Sequence, residues 1–144
     1  MRAGFAFLLI LLTAVSHGCK SPQSSQPSWA TRPSGLGILE LVPGEGPSPR
    51  QGQACVVEAS GWIEENGAKG RQFLDTRKRG FQERFPVGVG RVIKGWDEGL
   101  ATMKKGGKRL LRVPPSLGYS PAEARNDIPA GATLIFELEL VDFR

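Results

Sequence analysis

The stretch Val92-Ile93-Lys94-Gly95-Trp96-Asp97-Glu98-Gly99-Leu100 supplies the one clear helix of a chain otherwise patterned for strands. Val92, Trp96, Leu100 and Met103 fall on one face at helical spacing. Asp97 and Glu98 lie in the first turn, where the helix dipole favours negative charge. A tryptophan on such a face has two uses. It is plain core, or it is the flat apolar floor of a small pocket.

Outward from this helix, short strands dominate. Gly37 to Val42 is a strand closed by the turn chemistry of Pro43-Gly44-Glu45-Gly46-Pro47. Ala54 to Ile63 alternates, with Cys55, Val57 and Ala59 on one face and Glu58 and Ser60 on the other. Asn66-Gly67 marks a hairpin. Gln72 to Thr76 and Arg84 to Gly88 are shorter strands around a basic loop, Arg77 to Gly80. Lys108 to Val113 is a strand stopped by Pro114-Pro115, and an irregular loop follows from Ser116 to Gly131. In the last strand Leu134, Phe136, Leu138 and Leu140 face one way, Glu137 and Glu139 the other. One buried and one wet face mean an antiparallel sheet, and the one helix is there to cover it. The class is α+β, a bent antiparallel sheet wrapped around one short α-helix.

The first 34 residues have a different composition. Phe5 to Val15 is apolar apart from Thr13, too short to span a bilayer and the right length for a secretory signal. It leads through Ser16-His17-Gly18 into Cys19. Two processing outcomes are open: lipidation at Cys19 after removal of residues 1–18, as in a bacterial lipoprotein signal, or simple cleavage after Ser16. The first predicts a protein anchored in the bacterial cell envelope through Cys19, with the outer membrane favoured because no Asp follows that cysteine. The second predicts a free exported protein. Residues 19–34, rich in Ser, Pro and Gln, read as a tether. Residues 35–144 form one domain, enough for a single core.

The expected mature chain is poor in the groups of ordinary catalysis. His17 is the only histidine and falls in the signal segment. That excludes imidazole acid–base chemistry, a Ser-His or Cys-His pair and imidazole metal ligation. No cofactor and no metal are expected. Cys55 sits among alternating strand residues and reads as a small buried apolar side chain. The formal net charge is +5. Lys104, Lys105, Lys108, Arg109 and Arg112 make one basic cluster, and Arg77, Lys78 and Arg79 another. No aromatics interleave with them, so they read as solvated faces and not as a nucleic-acid surface.

Taken together, several blocks resemble the FKBP-type peptidyl-prolyl cis-trans isomerases over essentially the whole domain. They are Gly52-Gln53, Val92 to Leu100, Met103-Lys104-Lys105-Gly106, Pro114 to Leu117 with Tyr119, and Ile128-Pro129-Ala130-Gly131-Ala132-Thr133-Leu134-Ile135-Phe136-Glu137. The resemblance implies a five-stranded sheet curled around the helix, with the active cleft between them. It implies a cleft of Phe73, Val92, Ile93, Trp96, Tyr119, Ile128 and Phe136, with Trp96 as floor. It also implies that the Ile93 N–H and the Tyr119 hydroxyl hold the bound peptide. Three positions depart from the family pattern. Ala59 stands in place of a tyrosine. Leu74 follows Phe73 where an aspartate is usual, which displaces Asp75 by one. Glu83 replaces a wall aromatic, for which Phe81 is the nearest substitute. Asp75 and Phe81 are therefore expected as further substrate-binding residues.

Rotation about an X-Pro bond makes and breaks no covalent bond, and its barrier of about 18–20 kcal/mol comes from amide resonance. It needs no nucleophile, base or metal. The twisted amide is less dipolar than the planar one, so a dry apolar pocket favours it. The expected activity is isomerisation of X-Pro bonds in exported, proline-containing polypeptides, by a monomer. The competing expectation, on Ala59 and Leu74, is a client-binding or chaperone module with the same cleft and weak turnover.

Overall fold

The structure, a computed structural model, describes residues 28–123 and 127–144. The expected signal segment, Cys19 and most of the tether lie outside the described residues. The molecule is built on strand β3 (Ala54–Glu65), in which Cys55, Val57, Ala59, Gly61 and Ile63 are buried and the residues between them are not. Strand β7 (Leu134–Phe143) runs antiparallel beside it along nearly its whole length, from Ile63↔Leu134 to Cys55↔Phe143. Leu134, Phe136, Leu138 and Leu140 thus share one buried face with the β3 residues. Each such side chain contributes about 1.5–3 kcal/mol on leaving water.

Around this pair the remaining strands are β1 (Ala30–Thr31), β2 (Gly37–Val42), β4 (Ala68–Asp75), β5 (Glu83–Pro86) and β6 (Lys108–Val113). The sheet order is β1-β2-β6-β7-β3-β4, with β5 also paired to β3 and every pairing antiparallel. The sheet therefore has seven strands, not the five implied by the family resemblance. The two extra strands have separate origins. β4 and β5 are two halves of one interrupted neighbour of β3: β4 pairs with Ser60 to Glu65 and β5 with Ala54 to Val57. β1 lies inside the stretch read as tether, and pairs Ala30↔Ile38 and Thr31↔Gly37. Trp29 explains that pairing, because its ring edge rests over Gly37, where a Cβ would meet it at 3.3 Å.

The interruption between β4 and β5 is bridged by one helical turn, α1 (Thr76–Arg79), where the sequence reads as a loop. Thr76 is fully buried, and its hydroxyl accepts the Ala59 N–H at 3.0 Å. That amide faces the gap between the two half-strands and would otherwise be buried without a partner. The Asn66-Gly67 hairpin forms as expected, with both residues at positive φ (53° and 78°).

Helix α2 (Lys94–Leu100) lies hard against β6. A Cβ at Gly99 would sit 2.4 Å from Leu111, and one at Gly95 2.8 Å from Val113. These glycines set how closely the helix approaches the sheet, and so the depth of whatever opens beside it. Arg109, expected on a solvated basic face, is instead buried, at 6% exposure. It donates to Gly99 O at 2.7 Å, to Thr102 Oγ1 at 2.7 Å and to Glu40 at 3.1 Å, tying the end of α2 to β2 and β6. Several other basic residues pair across the outer face of the sheet. Arg77 bridges Glu58 and Glu139, Lys69 meets Glu137, and Arg112 grips Glu64 through two bonds of 2.6 and 2.9 Å.

Candidate active site

A cleft of about 1010 Å³ opens between the N-terminal end of α2, the rim at Leu74 to Glu83, and the Pro115–Pro121 segment. Trp96 is its floor. The residue is 6% exposed and still lines the cleft, so its ring is core on one side and surface on the other. Phe136 meets the indole edge-on, with centroids 5.2 Å apart and planes at 88°. Phe73 meets Phe136 the same way, at 5.6 Å and 89°. Gly61 makes this stack possible: a Cβ there would sit 2.9 Å from both phenylalanine rings.

Val92, Ile93 and Tyr119 line the cleft beside Trp96. Ile93 precedes α2, and its carbonyl accepts the Trp96 N–H at 3.0 Å. No acceptor takes the Ile93 N–H among the described residues, so it is available at the cleft wall. Ile128 and Phe136 are buried at 5% and 1% exposure and belong to the core that backs the floor, not to the lining.

Phe73, expected in the cleft, packs on Phe136 behind the lining, and two further expected binding residues, Asp75 and Phe81, lie elsewhere. Asp75 does not face the cleft. Its carboxylate caps α1, accepting the Lys78 N–H at 3.1 Å, and also takes the Gln72 side chain at 3.2 Å and the Lys78 ammonium at 3.4 Å. The Lys78 backbone N–H is the leading reason that its pKa falls below the usual carboxylate value. The physical cause of its absence from the cleft is the helical turn that begins at Thr76, whose free amides draw in the preceding side chain. Phe81, just past Gly80, is 49% exposed and is not among the lining residues. Glu83 and Leu74 form that rim instead.

Two contributors escape the sequence reading. Phe85, on β5 opposite Cys55, packs on Trp96 at 5.8 Å with a 41° tilt. Its alternation with Val87 was the available signal. Asp97 does more than complement the helix dipole: Oδ1 accepts the Gly88 N–H at 2.8 Å and Oδ2 the Gly90 N–H at 2.9 Å. It thereby fixes the loop that carries Gly90, Arg91 and Val92 into the cleft wall. The cue was a Gly-Val-Gly run ahead of an acidic first turn. Cys55 takes no part. It is fully buried, and desolvation pushes its thiol up to about 11.

A curled antiparallel sheet, a short helix against it and a tryptophan-floored cleft between them are the frame of a rotamase, an enzyme that turns peptide bonds. The chain belongs to the FKBP-type peptidyl-prolyl cis-trans isomerase family, whose model matches residues 46–141. It is 46% identical to FK506-binding protein 1 of Gibberella zeae over 101 residues, covering 69% of this chain and 90% of that one. It is 46% identical to the FK506-binding protein of Neisseria meningitidis serogroup B over 107 residues, covering 74% and 94%. Among solved structures, FkpA from Escherichia coli superposes with a TM-score of 0.73 at 33% identity, covering 83% of this chain. The chain spans about half of that protein, 53% of its length. AtFKBP13 superposes with a TM-score of 0.71 at 34% identity, covering 81% of this chain and 99% of that one. The protein is accordingly a peptidyl-prolyl cis-trans isomerase.

Proposed function

We propose that this enzyme accelerates rotation about X-Pro bonds in exported polypeptides, by seating the proline ring on Trp96 and stabilising the twisted amide in an apolar cleft. The observation that carries this reading is the floor itself. Trp96 is braced edge-on by Phe136 and flanked by Phe85, so one aromatic face is held in place beneath the cleft. A surface of that kind disfavours the planar, more dipolar amide relative to the twisted one. Ile93 and Tyr119 line the wall, and in this reading the Ile93 N–H and the Tyr119 hydroxyl donate to the peptide. The substrate's backbone is held there while its prolyl side rotates. No group in this scheme changes its covalent bonds.

A protease-coupled assay on Leu-Pro and Phe-Pro peptides tests the reading. Catalysis is expected, with Tyr119→Phe costing only a few-fold, as one neutral hydrogen bond would. A second reading, a chaperone module with weak turnover, is favoured by Ala59 and by Leu74 on the rim. Binding of unfolded client without catalysis would select it.

The cellular setting is part of the same proposal. Cys19 is the acylated N-terminal residue, residues 1–18 are removed, and the domain stands on a short Ser/Pro-rich tether at the bacterial envelope, the outer membrane in particular. It works there as a monomer on proline-containing, unfolded or partly folded chains. Several acyl chains on one cysteine hold a protein to a membrane stably, where a single chain does not. The mass of the mature N-terminus decides: a triacylated Cys19 supports the anchor, and an unmodified His17 start rules it out.

A further inference from the structure

The ion pairs of this molecule and its cleft are in different places. Arg77, Lys69, Lys108 and Arg112 are neutralised by carboxylates on the outer face of the sheet. Arg91 and Lys94, which flank Val92 and Ile93 on the cleft wall, enter no ion pair among the described residues. Both are exposed. On the rim across from them Arg79 and Glu83 offset one another in charge, and Arg79 also donates to Phe73 O at 3.3 Å. Glu123, at the far end, is turned to Ser120, accepting its N–H at 3.0 Å and its hydroxyl at 2.8 Å. Asp75, the one acid expected to face the cleft, is held in the cap of α1. The wall that carries the available Ile93 N–H is therefore the positive wall.

We infer that Arg91 and Lys94 make this cleft selective for prolines with an acidic side chain close by in the client. The inference rests on the isomerase reading of the same cleft and adds the substrate class. The two cations lie on either side of the residue that would hold the client's backbone, so a carboxylate beside the proline comes within their reach without leaving water. Exposed pairs of this kind are individually weak and are screened by salt. The preference is consequently one of degree: a bias among X-Pro sites, with apolar contact to Trp96 still supplying the seat.

The test measures binding and turnover separately on the described domain with its tether. The probes are three Leu-Pro peptide pairs that carry Glu, Gln or Lys either just before the leucine or just after the proline. Binding is read by fluorescence competition. The Glu peptide is expected to bind about three- to tenfold more tightly than the Gln peptide in at least one placement, with Lys weakest. The gap should close at about 1 M salt, where the Debye length is about 3 Å. Arg91→Gln with Lys94→Gln should bring the Glu-to-Gln ratio to about one. Equal binding of all three peptides at low salt, in both placements, overturns the inference, as does a preference that persists unchanged at high salt. Turnover of the Gln peptide reports on the isomerase function by itself: its absence would remove that function while leaving the charge preference to stand or fall on the binding data.

Discussion

The Trp96 indole stands edge-on to Phe136, with ring centroids 5.2 Å apart and planes at 88°. Phe136 is 1% exposed, so it acts on the cleft only through the ring it braces. Phe136→Leu keeps the site apolar and removes the brace. It should lower kcat/KM by about tenfold or more, and cost about 1–3 kcal/mol of stability in a denaturant titration, as a partly collapsed cavity in the core does. Full activity at unchanged stability would remove Trp96 as the seat of the proline ring.

Gly61→Ala probes the same stack from the opposite side. The new methyl would meet Phe136 and Phe73 at 2.9 Å, inside any allowed contact. The rings have to move, because the backbone at Gly61 is held between β4 and β7. We expect a loss of about 1–3 kcal/mol, the usual cost of overpacking, read from the urea midpoint. Indole fluorescence should shift with it, since Trp96 rests on the displaced ring.

Asp97 should behave as a positioning residue. It holds Gly88 and Gly90 with one oxygen each. Asp97→Ala frees both amides, whereas Asp97→Asn keeps one acceptor. Hydrogen bonds to a charged group contribute about 1.5–3 kcal/mol each. The alanine variant should raise KM more than it lowers kcat, because the loop carrying Arg91 and Val92 loosens while the aromatic floor stays. The asparagine variant should fall between alanine and the parent. Steady-state kinetics on a Leu-Pro peptide separate these effects.

Acid should destabilise the domain. The Asp75 carboxyl is held below its usual value, mainly by the Lys78 backbone N–H. Asp142 is held down mainly by the Lys105 side chain, and Glu58 mainly by Gln82 and then Arg77. In each case the unfolded chain takes up its proton first as pH falls. The stabilisation is thus complete above the unfolded values, about 3.9 for Asp and 4.3 for Glu, and is lost as pH drops through the lower folded values. Urea midpoints should be level above about pH 5 and decline below about pH 4. Asp75→Ala should lower the plateau and make the acid decline shallower.

The parts that depend on repeating pattern were readable from the chain: the alternation of β3 and β7, the helical face of Val92, Trp96 and Leu100, and the Asn66-Gly67 turn. What escaped was decided by single contacts between distant residues. β1 exists because Trp29 settles on Gly37, and nothing in a Ser- and Pro-rich stretch announces that. Asp75 leaves the cleft because a one-turn helix of Thr-Arg-Lys-Arg, with no apolar period at all, needs a cap. Arg109 is buried because the Gly99 carbonyl at the end of α2 and the Thr102 hydroxyl just beyond it both face β6. Within the site, Trp96, Val92, Ile93 and Tyr119 came through the family resemblance. Phe85 and Asp97 carried only weak cues, the alternation with Val87 and the Gly-Val-Gly run, because what each does is set by the partner it meets, Trp96 for one and the Gly88 and Gly90 amides for the other.

The hydroxyl of Thr76 against the Ala59 amide has a wider meaning for how such a molecule changes over time. By closing the gap between two half-strands, it lets the α1 segment hang outside the ladder of the sheet. The cleft has two builders that answer to different constraints. Its floor is fastened into β7, β5 and α2, where any change in bulk is felt at once. Its rim leaves the ladder between Asp75 and Glu83 and is held there by Thr76 on the Ala59 amide and by Arg77 on Glu58 and Glu139. Insertions and deletions within Arg77 to Gly80 fall between the half-strands, outside the ladder of β3, so this part of the rim can change in length while the strands that carry the floor keep their register.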